Sequence, residues 1–402
     1  MTNTINNKSG INKDQTIVGI TGFVTLFSLV GIMFYGLPFF YDYWVRDFGW
    51  SRARVTSGNA FGKVFVGLFG FLAGWIIDRF GPRKVMIAGI IMSGISVMLL
   101  SIMTSLWQFY LIYIFIGLGY MCGGPLPVQV LISRWFDSRR GKVMGLAYVG
   151  IGIGGMLVPQ LAKLLNLHFG WHSSITILGL LMILIAVPIA WFVKDQPRGD
   201  DKKIITESNS LPASIFKERS IYLLALGSMC SVAAVSGTIQ NLKLFFSLDL
   251  KYPQQLSANI LSLVLFSSIV GRLGMGWLAD KLQKKIVMIL ISGIVICAIF
   301  LLFFASSPRF VYLFAVVFGV GLGGDYMIIP LMAADLFGVR VIGRIMGIIL
   351  TVDGFADALA PMLVGWLRDR LGSYADAFSA LIIIAIVGII AIALIPKKRT
   401  LI

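Results

Sequence analysis

The chain has 402 residues, of which 58% are hydrophobic and 13% charged, with a mean hydropathy of +0.90. A soluble protein of this length would expose far more apolar surface than water tolerates, so the composition specifies a polytopic membrane protein. The net charge of +16 raises nucleic acid as a partner, but the placement of the basic residues argues against one.

Residues 1–16 are polar, lack an apolar core or small-residue cleavage site, and read as a tail rather than a signal peptide. Six apolar runs follow, near 17–41, 55–76, 85–104, 108–130, 143–165 and 173–193, and make a first half over 17–194. The polar stretch 195–218, with Asp200-Asp201-Lys202-Lys203, reads as a linker. Six more runs, near 220–248, 258–279, 286–306, 310–333, 345–367 and 375–395, make a second half over 219–396, and 397–402 is a basic tail. Most runs approach the roughly 20 residues that a helix needs to cross hydrocarbon. The predicted fold is all-α, with twelve transmembrane helices in two sets of six.

The two halves are copies of one design. Gly74-Trp75-Ile76-Ile77-Asp78-Arg79-Phe80-Gly81-Pro82-Arg83-Lys84 returns in degraded form as Gly276-Trp277-Leu278-Ala279-Asp280-Lys281, closed by Lys284-Lys285. Asp78 and Asp280 are 202 residues apart, and the same offset links Gly117 to Gly319, Gly119 to Gly321, Gly141 to Gly343, Gly145 to Gly347 and Pro159 to Pro361. That many matches at one register indicate an internal duplication, and parallel membrane repeats point to a transporter with its site between them.

With the N-terminus placed in the cytoplasm, Arg79, Arg83, Lys84, Arg134, Arg139, Arg140, Lys142, Lys281, Lys284, Lys285, Arg340, Arg344, Lys397, Lys398 and Arg399 all fall inside. The opposite loops hold fewer, so the basic excess follows the positive-inside rule. Both termini are then expected in the cytoplasm, in a bacterial inner membrane. Cys122, Cys230 and Cys297 lie in apolar spans without metal-ligand spacing and read as small core fillers. No metal or cofactor is expected. Gly152-x-Gly154 lies in a span rather than after a strand, so it is not a phosphate loop.

The Gly74 to Lys84 segment resembles the signature of the major facilitator superfamily, G-x-x-x-D-R-x-G-x-R-[KR], and the resemblance covers residues 17–395. Arg134-Trp135-Phe136-Asp137-Ser138-Arg139-Arg140-Gly141-Lys142-Val143-Met144-Gly145, running into Gly152-Ile153-Gly154-Gly155, is similar to the entry to helix five in the monocarboxylate transporters and the oxalate/formate antiporters. Arg272 in helix eight matches an arginine of those branches. Two departures carry weight. The animal members place an aspartate one turn before that arginine, where this chain has Ser268. The oxalate/formate exchangers carry a lysine in helix eleven, where this chain has Asp353 and Asp357. The resemblance therefore implies proton-linked movement of a monoanion rather than exchange of dianions.

Lys63, Arg272, Asp325, Asp353 and Asp357 lie well inside the spans, with Lys243 nearer a helix end. A charge at mid-bilayer costs at least about 2.5–3.5 kcal/mol on insertion scales, so each needs a partner or an aqueous cavity. At about 1.5 Å per residue, Arg272 lies roughly 12 Å from Asp280, and Asp325 and Asp353 roughly 14–15 Å from the ends marked by Asp335 and Arg344. All three are near the midplane. A guanidinium there offers two parallel donors to a planar carboxylate, which makes Arg272 the expected substrate anchor. Asp325 and Asp353 are the candidate proton carriers: an aspartate beside Arg272 would compete with substrate for one positive charge. The alternative is a permanent pair between Arg272 and one of these acids.

Lys63 and Asp357 lie at equal depth, about 16 Å from Arg52 and Arg368, on helices that face each other in this superfamily. They are expected to pair and close the outward gate when the site faces the cytoplasm. Asp78 with Arg79 and Arg83 is the expected cytoplasmic latch. Tyr120 and Ser268 are candidate substrate contacts, and Asn59, Gln129, Gln240 and Asn241 candidate cavity-lining groups; His168 and His172 read as surface residues. The expected function is a secondary transporter, working as a monomer, that moves a small organic anion with a proton. An organic-anion exchanger, a drug/proton antiporter and a membrane sensor on the same fold are the alternatives; no catalytic cluster points to an enzyme.

Overall fold

The computed structural model describes residues 13–136, 139–195, 218–339 and 341–396. The tail over 1–12, most of the linker (196–217), Arg340, the basic tail 397–402 and the side chain of Lys243 lie outside the described residues. The described chain is helical, without strands. In chain order the helices are α1 (Lys13–Phe48), α2 (Arg52–Phe80), α3 (Pro82–Leu99), α4 (Leu106–Trp135), α5 and α6, α7 (Arg219–Leu244), α8 (Gln254–Lys281), α9 (Lys284–Leu301), α10 (Pro308–Phe337), α11 (Ile342–Leu371) and α12 (Tyr374–Ala393). α5 and α6 form the continuous stretch Arg140–Trp191, divided at Gly170, whose φ of 71° no helix tolerates. Eleven apolar segments, one of them 52 residues long and so divided, give the twelve-span arrangement.

Local chemistry sets the breaks. Ser51 opens α2 by accepting the backbone N–H of Arg54 at 3.3 Å, a standard N-cap. Gly81, at φ 89°, turns the chain so that Pro82 can start α3, where its missing N–H costs nothing. Gly124-Pro125 interrupts α4. In α1 the turns widen into a π-segment over Gly31–Gly36 before Pro38, a distortion that re-aims side chains.

Within the halves α1 packs on α5, α3 on α4, α8 on α10, and α7 on α11 and α12; between the halves α2 meets α11 and α5 meets α8. The inter-half seams are closest at the end where both described chain ends lie, called the terminal end below. A Cβ at Gly70 would lie 2.7 Å from the Gly347 carbonyl oxygen, and one at Gly74 would approach Gly343 closer still. Farther along, a Cβ at Gly67 would be 3.5 Å from the Thr351 carbonyl, while one at Gly365 would meet nothing within 4 Å. Gly354 and Gly365 share a face, since eleven residues make three turns, so the helices splay toward the far end. The α5 seam follows suit: Gly141, Gly145 and Gly152 are buried, Pro159 is half-buried and Lys163 exposed. One apolar core crosses between the halves through Met327, Ile345 and Met346, whereas a second, around Phe246, Phe314, Phe318 and Phe378, stays within the C-terminal half.

Candidate functional site

Two carboxylates bridge the halves at the terminal end. The side chain of Asp78, with no solvent exposure, accepts the backbone N–H groups of Gly343 at 3.2 Å and Arg344 at 3.0 Å, at the start of α11. The Arg134 guanidinium lies 3.3 Å and that of Arg344 3.5 Å from it. In the repeat-related place, Asp280 accepts the N–H groups of Gly141 at 2.7 Å and Lys142 at 2.9 Å, at the start of α5. Each half thus places a carboxylate at a helix N-terminus of the other, where free N–H groups and the dipole favour negative charge. Arg79 and Arg83, expected beside Asp78, go elsewhere: Arg79 lies over the Trp75 ring at 5.0 Å and Arg83 over Trp191 at 5.5 Å. Their helical phase turns them away from α11; the arginines beside Asp78 come instead from α4 and α11.

Deeper in, Arg272 is 8% exposed and its Nη1 has no hydrogen-bond partner. Its guanidinium reaches α5, where a Cβ at Gly152 would sit 3.1 Å from Nη1. Tyr148, one turn earlier on α5, is buried, and the Tyr35 ring packs on Gly155 at 3.3 Å from where a Cβ would be. Tyr35 and Tyr148 lie near enough to Arg272 to interact with it. Gln129 Nε2 donates to the Tyr148 hydroxyl at 2.5 Å, leaving the phenol proton free to donate.

The acids are elsewhere. Asp353, 4% exposed, has the Ser228 hydroxyl 2.7 and 2.6 Å from its two oxygens; Asp325, 1% exposed, accepts from Ser231 at 2.5 Å. Among the described residues neither acid pairs with Arg272, so the expected competition for one positive charge does not occur in this arrangement. The reason is angular: the three residues share a depth, but Arg272 points at α5 while the acids point at α7.

Lys63 and Asp357 do meet, Nζ to Oδ2 at 2.5 Å, with side chains 23% and 21% exposed. Lys63 is fifteen residues from Asp78 and Arg272 eight from Asp280, so the pair lies about 10 Å nearer the far end than Arg272. It is made together with the Asp78 and Asp280 contacts of the terminal end.

Of the remaining candidates, Gln240 is exposed and reaches Asp357 at 3.5 Å, and Asn59 is half-buried one turn before Lys63. Tyr120 is half-buried, edge-on to Phe34 at 5.0 Å, within the field of Asp357, Tyr35 and Tyr148. Two candidates are corrected. Ser268 is fully buried and donates to the Leu265 carbonyl at 2.7 Å, the usual back-bond of a helical serine. Asn241 is buried and gives its amide protons to the Gly237 and Pro361 carbonyls. His168 and His172 are exposed. Residues that the sequence did not single out are Tyr35, Tyr148, Ser228, Ser231 and Tyr326, the last 36% exposed yet within the field of Asp325, Asp353 and Asp357. Paired serines one turn apart, facing two buried acids, were the available signal.

A model of the Major Facilitator Superfamily matches residues 21–361 and 224–401. The chain is 26% identical over 337 residues, 81% of each chain, to YcxA of Bacillus subtilis (strain 168), an uncharacterised transporter of that type. It is 26% identical over 351 residues to monocarboxylate transporter 13 of Bos taurus, covering 84% of this chain and 79% of the relative. The fold is similar to that of the fucose:proton symporter of E. coli, with a TM-score of 0.75 at 14% identity, covering 95% of this chain and 99% of the other.

Proposed function

We propose that this chain, which belongs to the Major Facilitator Superfamily, moves a small organic monocarboxylate of the lactate or pyruvate class across the membrane with a proton, by alternating access. The observation that carries the reading is the buried Arg272 guanidinium with Nη1 unpartnered. A buried donor left without a partner costs free energy that a bound carboxylate recovers, and the planar fork matches a carboxylate better than any other anion-binding side chain. The freely donating Tyr148 hydroxyl, with Tyr35 and Tyr120 near it, supplies further polar groups to the site.

One of the two buried acids, Asp325 or Asp353, carries the proton: with half-buried Asp357 they set three carboxylates near one ammonium, an excess of negative charge that is costly in a membrane interior. Asp78 and Asp280 form the inner gate, and Lys63 with Asp357 an outer one. In this arrangement both are closed around Arg272. The carrier works as a monomer in a bacterial inner membrane, with its terminal end in the cytoplasm. The test is uptake of a labelled organic-acid panel into proteoliposomes, with and without an imposed pH gradient. R272K is expected to lower uptake by about two orders of magnitude, the scale for losing a forked charge-assisted contact. Unchanged kinetics in R272K, or uptake only of uncharged solutes, would refute the reading.

A further inference from the structure

We propose that the coupling proton rides on Asp353, clasped by Ser228, in a compartment of the C-terminal half that is separate from the substrate anchor. This rests on the reading of the protein as a proton-linked carrier and says where the proton sits. The Ser228 hydroxyl has one proton, yet lies 2.7 and 2.6 Å from both oxygens of Asp353. An ionised carboxylate is acceptor only, so one of those contacts would set lone pair against lone pair or split a single proton between them. A protonated carboxyl closes the pair: its O–H donates to the serine oxygen while the serine O–H donates to the other carboxyl oxygen. Asp325 has no such closed pair; one oxygen accepts from Ser231 and the other has no partner.

The charged and titratable groups around Asp353 point the same way. Asp325 and Tyr326 face it from α10, and Asp357 lies one turn along α11. From α7 come the hydroxyls of Ser228 and Ser231. Lys63 of α2 is already engaged by Asp357 at 2.5 Å. On α8, the helix of the anchor, Ser268 is turned back on its own backbone, and among the described residues no acid pairs with Arg272. Proton and substrate therefore load different helices, and α11 links the proton to the gate. With Asp353 ionised, Asp357 has a like charge one turn away; with Asp353 neutral, it does not. Loading the proton thus changes the grip of the outer pair without touching the guanidinium.

The full-length protein in proteoliposomes, with labelled pyruvate and an internal pH dye, gives the ratio of protons to pyruvate entering. In D353N this ratio is expected to fall by about tenfold or more, the scale of a lost coupling, and to fall further than in D325N. S228A is expected to move the pH profile of uptake by roughly one unit, the worth of one hydrogen bond, and S228T to restore it. An unchanged ratio in D353N, loss in D325N instead, or uptake that follows a sodium gradient overturns the assignment. Should D353N fail to fold, S228A and S228T decide: a profile that moves in neither overturns it. Parent protein that transports none of the acids overturns the transport reading itself, and this inference with it.

Discussion

Asp78 and Asp280 occupy equivalent positions in the repeat, but their surroundings predict unequal consequences when each is changed to asparagine. D280N removes a charge that meets two backbone N–H groups at 2.7 and 2.9 Å. A charge at a helix N-terminus and its charge-assisted bonds are worth about 1–2 kcal/mol. D78N removes the equivalent contacts to α11 and also strips the counter-charge from Arg134 and Arg344, whose side chains are 8% and 5% exposed. Breaking a buried pair on one side costs about 3–5 kcal/mol. These contacts hold only while the terminal end is shut, so the cost appears in the gate equilibrium. At 1.4 kcal/mol per decade, D280N favours terminal opening by about tenfold and D78N by at least about a hundredfold. Met346, 1% exposed in the core that joins the halves, supplies a reporter as M346C with Cys122, Cys230 and Cys297 replaced. Its reaction with an impermeant thiol reagent from the terminal side should accelerate in the order parent, D280N, D78N. Equal acceleration in the two variants would refute the role of the arginines, and no acceleration in either would refute the latch.

The Lys63–Asp357 pair is about one-fifth exposed, between the surface case of up to about 1 kcal/mol and the buried case of about 3–5. Neutralising either partner should therefore cost about 2–3 kcal/mol of gate closure, and the exchange K63D/D357K should recover about tenfold of the lost uptake; an exchange as inactive as the singles would count against direct pairing. G70A should abolish transport, because its Cβ would meet the Gly347 carbonyl at 2.7 Å, whereas G365A, in open space, should transport normally. Alanine is otherwise the better helix residue by about 1 kcal/mol, so a loss in G70A reports seam closure rather than helix stability. N241A should lower thermal stability in detergent by about 1–2 kcal/mol, the worth of its two backbone bonds, with the substrate KM unmoved; a raised KM would return Asn241 to the cavity.

Much of the fold could be read from hydropathy and repeat alone, since span length and a 202-residue offset depend on one dimension of the chain. Depth belongs to that dimension too, and the meeting of Lys63 with Asp357 follows from equal depth on facing helices. Azimuth does not. Arg272 and Asp353 share a level, but a residue turns 100° from its neighbour on a helix, and a phase error of two residues moves a side chain to another cluster. The same limitation sent Arg79 and Arg83 to the latch when they stack on Trp75 and Trp191. Ser268 and Asn241 were misread for a different reason: short polar side chains in a helix can bond to backbone carbonyls, a choice that sequence does not reveal.

The repeat separates machinery from chemistry. Residues that hold the halves together recur: Asp78 with Asp280, Gly141 with Gly343 and Gly145 with Gly347, and these are the close contacts of the terminal end. Residues that bear charge at mid-depth do not recur. The position 202 before Arg272 is Gly70, and those 202 before Asp325, Asp353 and Asp357 are Gly123, Ile151 and Gly155; the position 202 after Lys63 is Leu265. A symmetric gate needs both halves to make the same contact, because each must release when the other swings. The site proposed above, for one anion and one proton, has no such requirement, and a duplicated charge in the bilayer would carry its insertion cost without a second ligand to repay it. On this reasoning a carboxylate introduced at Gly123, the twin of Asp325, gains nothing and is expected to depress insertion, which membrane-fraction yield of G123D would measure. Normal yield and raised proton coupling in that variant would show that the asymmetry of the centre is accidental.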